Sequence, residues 1–278
     1  MSPRTIIITG ASDGIGAAAA RQLAPHGHRL LLVGRSPEKT AAVADEIGAE
    51  RFVADFASLA EVRELAQQLL AATADSGLDV LANNAGGIFG ERTPTVDGHE
   101  KTFQVNHLAP FLLTNLLLPR LQGGGSVVNT SSVGHRLFGN LDLEDLGAER
   151  RVSARRAYGD AKLANILFTR SLHQRFHDEG LSAVAFHPGL VRTGFAAGSR
   201  GPMRFMYQSA IGRLLPMISA EQGGGNLAWL ITGTPGQTWT SGRYYDRYRP
   251  TDRVHPQADD LALADALWQR SAELVGLA

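Results

Sequence analysis

Thr5-Ile6-Ile7-Ile8-Thr9-Gly10-Ala11-Ser12-Asp13-Gly14-Ile15-Gly16 is the stretch that decides the architecture. The β-branched run over 5–9 predicts a buried strand, and the glycines after it punctuate the chain. An alanine-rich helix is expected over about 15–23. Working outward, the same alternation recurs. Strands are predicted over 29–33, 51–53, 78–81, 126–130 and 181–186, with a weaker one over 242–245. Helices are predicted over 37–47, 59–72, 98–121, 154–177, 220–230 and 259–274, with Pro110 expected to bend the longest early one. Strands alternating with helices imply parallel pairing through right-handed crossovers, hence an α/β doubly wound sheet. No linker or repeat interrupts the pattern, because Gly123-Gly124-Gly125 and Gly223-Gly224-Gly225 are followed at once by strong elements. One domain over 1–278 is expected.

Composition narrows the function classes. An apolar share of 44% supports a substantial core, and 27 basic residues against 27 acidic ones leave no net field to draw nucleic acid or acidic membranes. The chain has no cysteine, which excludes disulfides, thiol catalysis and cysteine metal sites. No signal peptide precedes the first strand and no uncharged run reaches ~20 apolar residues, so a cytoplasmic protein without a membrane anchor is expected.

The glycines at 10, 14 and 16 fall between a strand and a helix, where a dinucleotide's pyrophosphate can sit on backbone amides at the positive helix end. An acidic residue at the end of the second strand would accept from the free 2′-hydroxyl of NAD. This chain has Gly34 followed by Arg35 instead, and arginine offers a planar, permanently charged fork to a 2′-phosphate. NADP(H) is therefore favoured over NAD(H), although Asp13 places a negative charge near the same region.

Tyr158 and Lys162 lie four apart on one helical face. Five tyrosines and the three lysines (Lys39, Lys101, Lys162) give about 0.05 such pairs by chance. A cation beside a phenol favours the phenolate and draws its pKa from roughly 10 toward neutrality. That makes the tyrosine a usable general acid and base.

Together these pieces resemble the short-chain dehydrogenase/reductase family in its compact, single-domain form. G-x-x-x-G-x-G over 10–16, Asn83-Asn84-Ala85-Gly86, Asn106, Ser131-Ser132, Tyr158-Gly159-Asp160-Ala161-Lys162 and Pro188-Gly189 follow the family order nearly end to end. The resemblance is greatest to the retinol dehydrogenase and WW domain-containing oxidoreductase branch, through FQVNHLAPFLLT (103–114), AYGDAKLANILFTR (157–170) and the ending ALWQRSAELVGL (266–277). It implies a Rossmann fold with a mainly parallel seven-stranded sheet flanked by helices. It implies Asn106, Ser132, Tyr158 and Lys162 as the catalytic set, the second serine being taken by spacing. Cofactor contacts are implied at Gly10, Ser12, Asp13, Gly14, Ile15, Gly16, Arg35, Asp55, Phe56, Asn83, Ala85, Gly86, Thr130, Tyr158, Lys162, Pro188, Gly189, Val191 and Thr193. A substrate lid is implied over about 193–219, where Met203, Phe205, Met206 and Tyr207 suggest a hydrophobic substrate. Asn106 is expected to bend its helix and to hold a water between Lys162 and solvent.

The expected activity is interconversion of a carbonyl and an alcohol by hydride transfer. The alternative is a non-catalytic NAD(P)-sensing regulator on the same fold, which would need no proton relay. A hydrolase built on Ser132 lacks a G-x-S-x-G elbow, and an epimerase of the longer type would carry G-x-x-G-x-x-G. His107, His135 and His187 are read as loop or helix residues, not metal ligands, since no H-E-x-x-H spacing occurs. Arg150, Arg151, Arg155 and Arg156 are read as a solvated face. Homo-oligomer formation is expected on the helices around Asn106 and Tyr158, the surfaces this family commonly pairs.

Overall fold

The computed structural model describes residues 2–89, 94–121, 123–146, 153–190 and 217–277. Its centre is one sheet of β1 (Thr5–Thr9), β2 (Arg29–Gly34), β3 (Glu50–Val53), β4 (Val80–Asn83), β5 (Ser126–Thr130), β6 (Ser182–His187), β7 (Tyr244–Asp246) and β8 (Arg249–Pro250). The spatial order is β3-β2-β1-β4-β5-β6-β7-β8. The order reverses between β1 and β4, the place where α/β sheets open a crevice at their carboxyl ends. All pairings are parallel except β7 with β8.

Eight strands stand where seven were expected. The extra one is a two-residue ribbon returning through Arg247, whose φ of 56° lets the chain reverse between Asp246 and Arg249. Such a strand is too short to carry a period.

The central strands are apolar on both faces because helices cover both. Ile6, Ile8, Leu30, Leu32, Val128 and Val184 pack toward α1 (Gly14–Leu23), α2 (Pro37–Ile47) and a later helix at Ala220–Thr232. Ile7, Leu31, Leu81, Val127 and Ala183 face α3 (Leu59–Ala72) and the helices that carry the site. Starts follow local capping: Ser36 accepts from the Lys39 amide ahead of Pro37, and Ser58 from the Glu61 amide.

The long helix α4 begins at Lys101, not at 98, because the Glu100 carboxylate caps it by accepting from the Phe103 amide. It runs as an α-helical turn (Lys101–Phe103), a π-helical turn (Gln104–Leu108) and an α-helical segment (Ala109–Leu121). The irregularity therefore precedes Pro110. The Ala109 amide reaches back five residues to Gln104 O, and Pro110 has no N–H to offer the Asn106 carbonyl four residues earlier.

Among the described residues four further α-helices follow: α5 (Gly134–Phe138), α6 (Ala154–Phe176), α7 (Ala220–Thr232, with a Ser219/Gln222 capping box) and α8 (Leu261–Leu274). Helix α8 lies over α4 and α6. Its Trp268 ring sits 5.0 Å from Phe111 and 5.7 Å from Phe168, centroid to centroid. Residues 157–169 of α6 are all buried within the single chain. Among the described residues no helix is long and apolar enough to cross a membrane.

Candidate active site

The glycine loop and the loop after β4 are stitched together at the reversal of strand order. Thr9 Oγ1 accepts from the Asn84 and Ala85 amides at 3.0 Å each, and Asn84 Nδ2 donates to Thr9 O at 3.0 Å. The loops then approach so closely that side chains are excluded. A Cβ on Gly10 would lie 2.8 Å from Ala85 Cα, and one on Gly16 only 2.3 Å from Gly10 O. Gly10 also needs its φ of 67°. This bare backbone at the start of α1 is the cradle a pyrophosphate requires. Asn84 was not among the expected site residues, although it stands inside the Asn83-Asn84-Ala85-Gly86 motif.

Around the β2 end, Ser12 packs on Gly34, where a Cβ would meet Ser12 Cβ at 2.8 Å and Thr40 Oγ1 at 2.3 Å. Arg35 is exposed beside it. Asp13 caps α1 by accepting from the Gly14 amide at 2.7 Å and pairs with Lys39 Nζ at 3.2 Å. The backbone bond and then the ammonium hold its carboxyl below the usual range. Its negative charge is therefore answered locally by Lys39, a partner that sequence spacing did not reveal.

Asp55 is half-buried after β3, with Oδ1 accepting from the Ala57 amide at 2.9 Å, and Phe56 is buried below it. Asn83 lies inside the sheet, donating to Thr114 Oγ1 and Asn129 Oδ1 at 2.9 Å each. Asn83 is thus buried among its sheet partners, where a cofactor contact was expected, and leaves the cleft surface to Ala85 and Gly86. Ile15 packs into the apolar layer behind α1.

The four expected catalytic residues converge at the end of β5. Asn106, in the π-helical turn, donates to Gly87 O at 2.8 Å and Thr102 O at 2.7 Å and accepts from the Gly87 amide at 3.2 Å. A Cβ on Gly86 would lie 2.3 Å from Asn106 Oδ1 and 3.3 Å from Lys162 Nζ, so Asn106 and Lys162 meet across that glycine. Ser131 is buried and donates to Lys162 O at 2.7 Å, holding the helix backbone. Ser132 is half-buried, with its Oγ accepting from the Gly134 amide at 3.1 Å.

A Cβ on Gly134 would touch Tyr158 Cε1 at 3.0 Å and Ser132 Oγ at 3.4 Å, so hydroxyl and phenol ring are neighbours across it. Lys162 Nζ stands 5.5 Å from the Tyr158 ring centroid and donates to Thr130 O at 3.1 Å. Burial pushes the Lys162 ammonium down to about 7 in the protein alone.

Helix α5 is pressed onto α6 at Gly159, where a Cβ would lie 2.5 Å from Gly139 N. Arg156 pins that junction, pairing with the buried Asp160 at 2.8 Å and donating to Asn140 O. It is a structural clamp and not the solvated charge that was expected. Arg155 is exposed; Arg150 and Arg151 lie outside the described residues.

The three histidines singled out from sequence are all buried. Burial draws His107 and His187 down to about 4. His135 Nε2, His187 Nδ1 and Tyr244 Oη find no hydrogen-bond partner among the described residues, and the His135 and Tyr244 rings meet edge to face at 5.0 Å. Pro188 O accepts from Asn226 Nδ2 at 2.8 Å, and Gly189 takes a φ of 104° against Ile218. Val191, Thr193 and most of the expected lid, with Met203, Phe205, Met206 and Tyr207, lie outside the described residues.

A nucleotide cradle beside a Ser–Tyr–Lys constellation at the end of β5 defines a class, and comparison agrees. This chain belongs to the short-chain dehydrogenase family, whose profile matches residues 4–203. It is accordingly an NAD(P)-dependent oxidoreductase acting on CH–OH and C=O groups. It is 41% identical to DnrU of Streptomyces sp. (strain C5), assigned provisionally as a daunorubicin C-13 ketoreductase, covering 98% of this chain and 93% of that one. It is 34% identical to human retinol dehydrogenase 13 over 99% of this chain and 85% of that one. Among solved structures, an uncharacterised protein from Mycobacterium paratuberculosis aligns with a TM-score of 0.78 at 34% identity, covering 98% and 93% of the two chains.

Proposed function

We propose that the protein is an NADP(H)-dependent reductase or dehydrogenase interconverting a hydrophobic ketone or aldehyde with its alcohol. The observation that carries this reading is the meeting of Ser132 Oγ and the Tyr158 ring across Gly134, with Lys162 Nζ 5.5 Å from that ring. The residues present fit the coenzyme: a cradle without side chains at Gly10 and Gly16, and the exposed cation Arg35 at the ribose end. Lys39 neutralises Asp13, so a 2′-phosphate there meets no uncompensated negative charge. When bound, the nicotinamide coenzyme supplies or accepts the hydride.

The chain's own residues handle the proton and the charge. Tyr158 gives its phenolic proton to the carbonyl oxygen during reduction and takes it back during oxidation. Ser132 donates a hydrogen bond to the same oxygen as charge develops on it. Lys162, held by Thr130 O, favours the phenolate by its charge. Asn106 keeps the Gly86–Gly87 backbone and Lys162 in register, and its carbonyl, denied an amide by Pro110, is placed to hold a water on the path to solvent.

Relatives named for daunorubicin and retinol support a large apolar substrate. A cytoplasmic location goes with this proposal, and any homo-oligomer would use a face other than the one α8 covers. The test is Tyr158→Phe, assayed by loss of nicotinamide absorbance over a carbonyl panel and by NADPH titration. Turnover disappears while NADPH binding persists; near-normal reduction by the variant would refute the assignment.

A further inference from the structure

His107, Asn165 and Ser271 form a buried polar chain that ends on the carbonyl shared with Lys162. Asn165 Nδ2 donates to Thr130 O at 3.1 Å, the same oxygen that accepts Lys162 Nζ at 3.1 Å. Asn165 Oδ1 lies 3.3 Å from His107 Nδ1, and His107 Nε2 lies 3.0 Å from Ser271 Oγ on α8. Only one assignment of protons satisfies every contact. Thr130 O needs donors, so the Asn165 amide nitrogen must face it and Oδ1 must face the imidazole. His107 is therefore protonated on Nδ1, and Ser271 donates to Nε2. The space between His107, Phe111, Phe168, Ser171, Leu267 and Trp268 admits no water-sized sphere. Among the described residues no carboxylate acts on Lys162 or His107; the titratable groups facing them are one another and Tyr158.

We propose that Asn165, oriented by His107 and Ser271, is a positioning residue that keeps Lys162 turned toward Gly86 and Tyr158. A carbonyl has two acceptor directions, and the Asn165 amide fills one. The ammonium is confined to the other. The positive end of the Asn165 N–H dipole also stands near the ammonium and weakens its hold on Thr130 O. Without it Lys162 would settle onto the carbonyl, more fully protonated and farther from the phenol. The assignment rests on the reading of Lys162 as the partner of Tyr158, but its direct test does not need turnover.

Lysine is present at only three positions, so selective isotopic labelling of lysine gives three side-chain signals, and Lys162 is assigned by its absence in Lys162→Met. Its titration is followed in wild type, Asn165→Leu, His107→Leu and His107→Asn, the last keeping an N–H where Nδ1 stood. The midpoint rises by about half a pH unit or more in both leucine variants and stays at the wild-type value in His107→Asn. With the NADPH assay on the panel carbonyl that wild type reduces best, kcat falls roughly tenfold in the leucine variants, with KM for that carbonyl nearly unchanged. His107→Asn retains kcat within about twofold, even where its melting temperature falls with the leucine variants. A Lys162 midpoint that does not move in Asn165→Leu overturns the proposal, as does loss of kcat that follows melting temperature in all three variants. A wild-type protein that reduces no carbonyl would sink the functional reading alone and leave the titration to judge Asn165.

Discussion

Gly86→Ala is the substitution whose cost the structure defines most sharply. Its methyl group would stand 2.3 Å from Asn106 Oδ1, against roughly 3.4 Å for ordinary contact, so the amide must retreat by about 1 Å. Asn106 is fully buried and bonded to Gly87 on both sides and to Thr102 O. Overpacking costs about 1–3 kcal/mol and a broken buried hydrogen bond about 1–3 kcal/mol more. The expected destabilisation is about 2–6 kcal/mol, a fall of roughly 4–12 °C in melting temperature at about 2 °C per kcal/mol for a chain of this size.

Differential scanning calorimetry without coenzyme measures it, and the double variant with Asn106→Ala isolates the cause. With Oδ1 gone the clash is relieved, so Gly86→Ala costs about 1 kcal/mol in that background, a coupling of about 1–5 kcal/mol. Turnover falls about a hundredfold in the single variant because Lys162 Nζ lies 3.3 Å from the added methyl group. Additive melting shifts, or a Gly86→Ala protein as stable as wild type, would refute the claim that Asn106 and Lys162 meet across this glycine.

Three further outcomes are expected. On the proposed NADP(H) reading, replacing Arg35 with Leu removes a charge-assisted bond worth about 1.5–3 kcal/mol, so KM for NADPH rises roughly tenfold to a hundredfold while KM for NADH hardly moves; equal effects on both would refute a contact between Arg35 and the 2′-phosphate. His107 and His187 titrate near 4 in the folded chain and near 6.5 unfolded, so the unfolded state binds protons the folded state refuses between those values. Stability therefore falls as pH drops from about 6.5 to 4, by up to about 1.4 kcal/mol per pH unit for each, and urea midpoints that stay flat over that window would contradict the burial of both rings. Truncating Trp268 to Ala should cost about 3 kcal/mol by opening the aromatic contact of α8 with Phe111 and Phe168, read as a lower urea midpoint.

The parts legible in the sequence are those written in local pattern. The strand at Thr5–Thr9 and the helices Pro37–Ile47 and Leu59–Ala72 have bounds set by periodicity and, for the helices, by the serine immediately ahead of each. Asn106, Ser132, Tyr158 and Lys162, the proposed catalytic set, were legible because their spacing and order survive as motifs. What escaped depends on contacts distant along the chain. The Asp13–Lys39 pair spans 26 positions, and His107 with Ser271 spans 164. Neither distance leaves a periodic trace. Arg156 was misread for a related reason: its i,i+4 partner Asp160 was visible, but the burial of that carboxylate beneath α5 was not. Pro110 drew attention to the right helix for an incomplete reason, since its missing N–H acts four residues upstream.

The placement of α8 also bears on how the protein is made. The aromatic faces of α4 and α6 leave the ribosome well before the helix that covers them, which follows about 85 residues after α6 ends. At roughly 5–20 residues per second that is an interval of about 4–17 s. Through it Phe111 and Phe168 stand bare, and Thr130's carbonyl waits for the hydroxyl that will orient its neighbour. A nascent chain stalled between the two segments therefore offers a chaperone an apolar seam that the finished enzyme never shows.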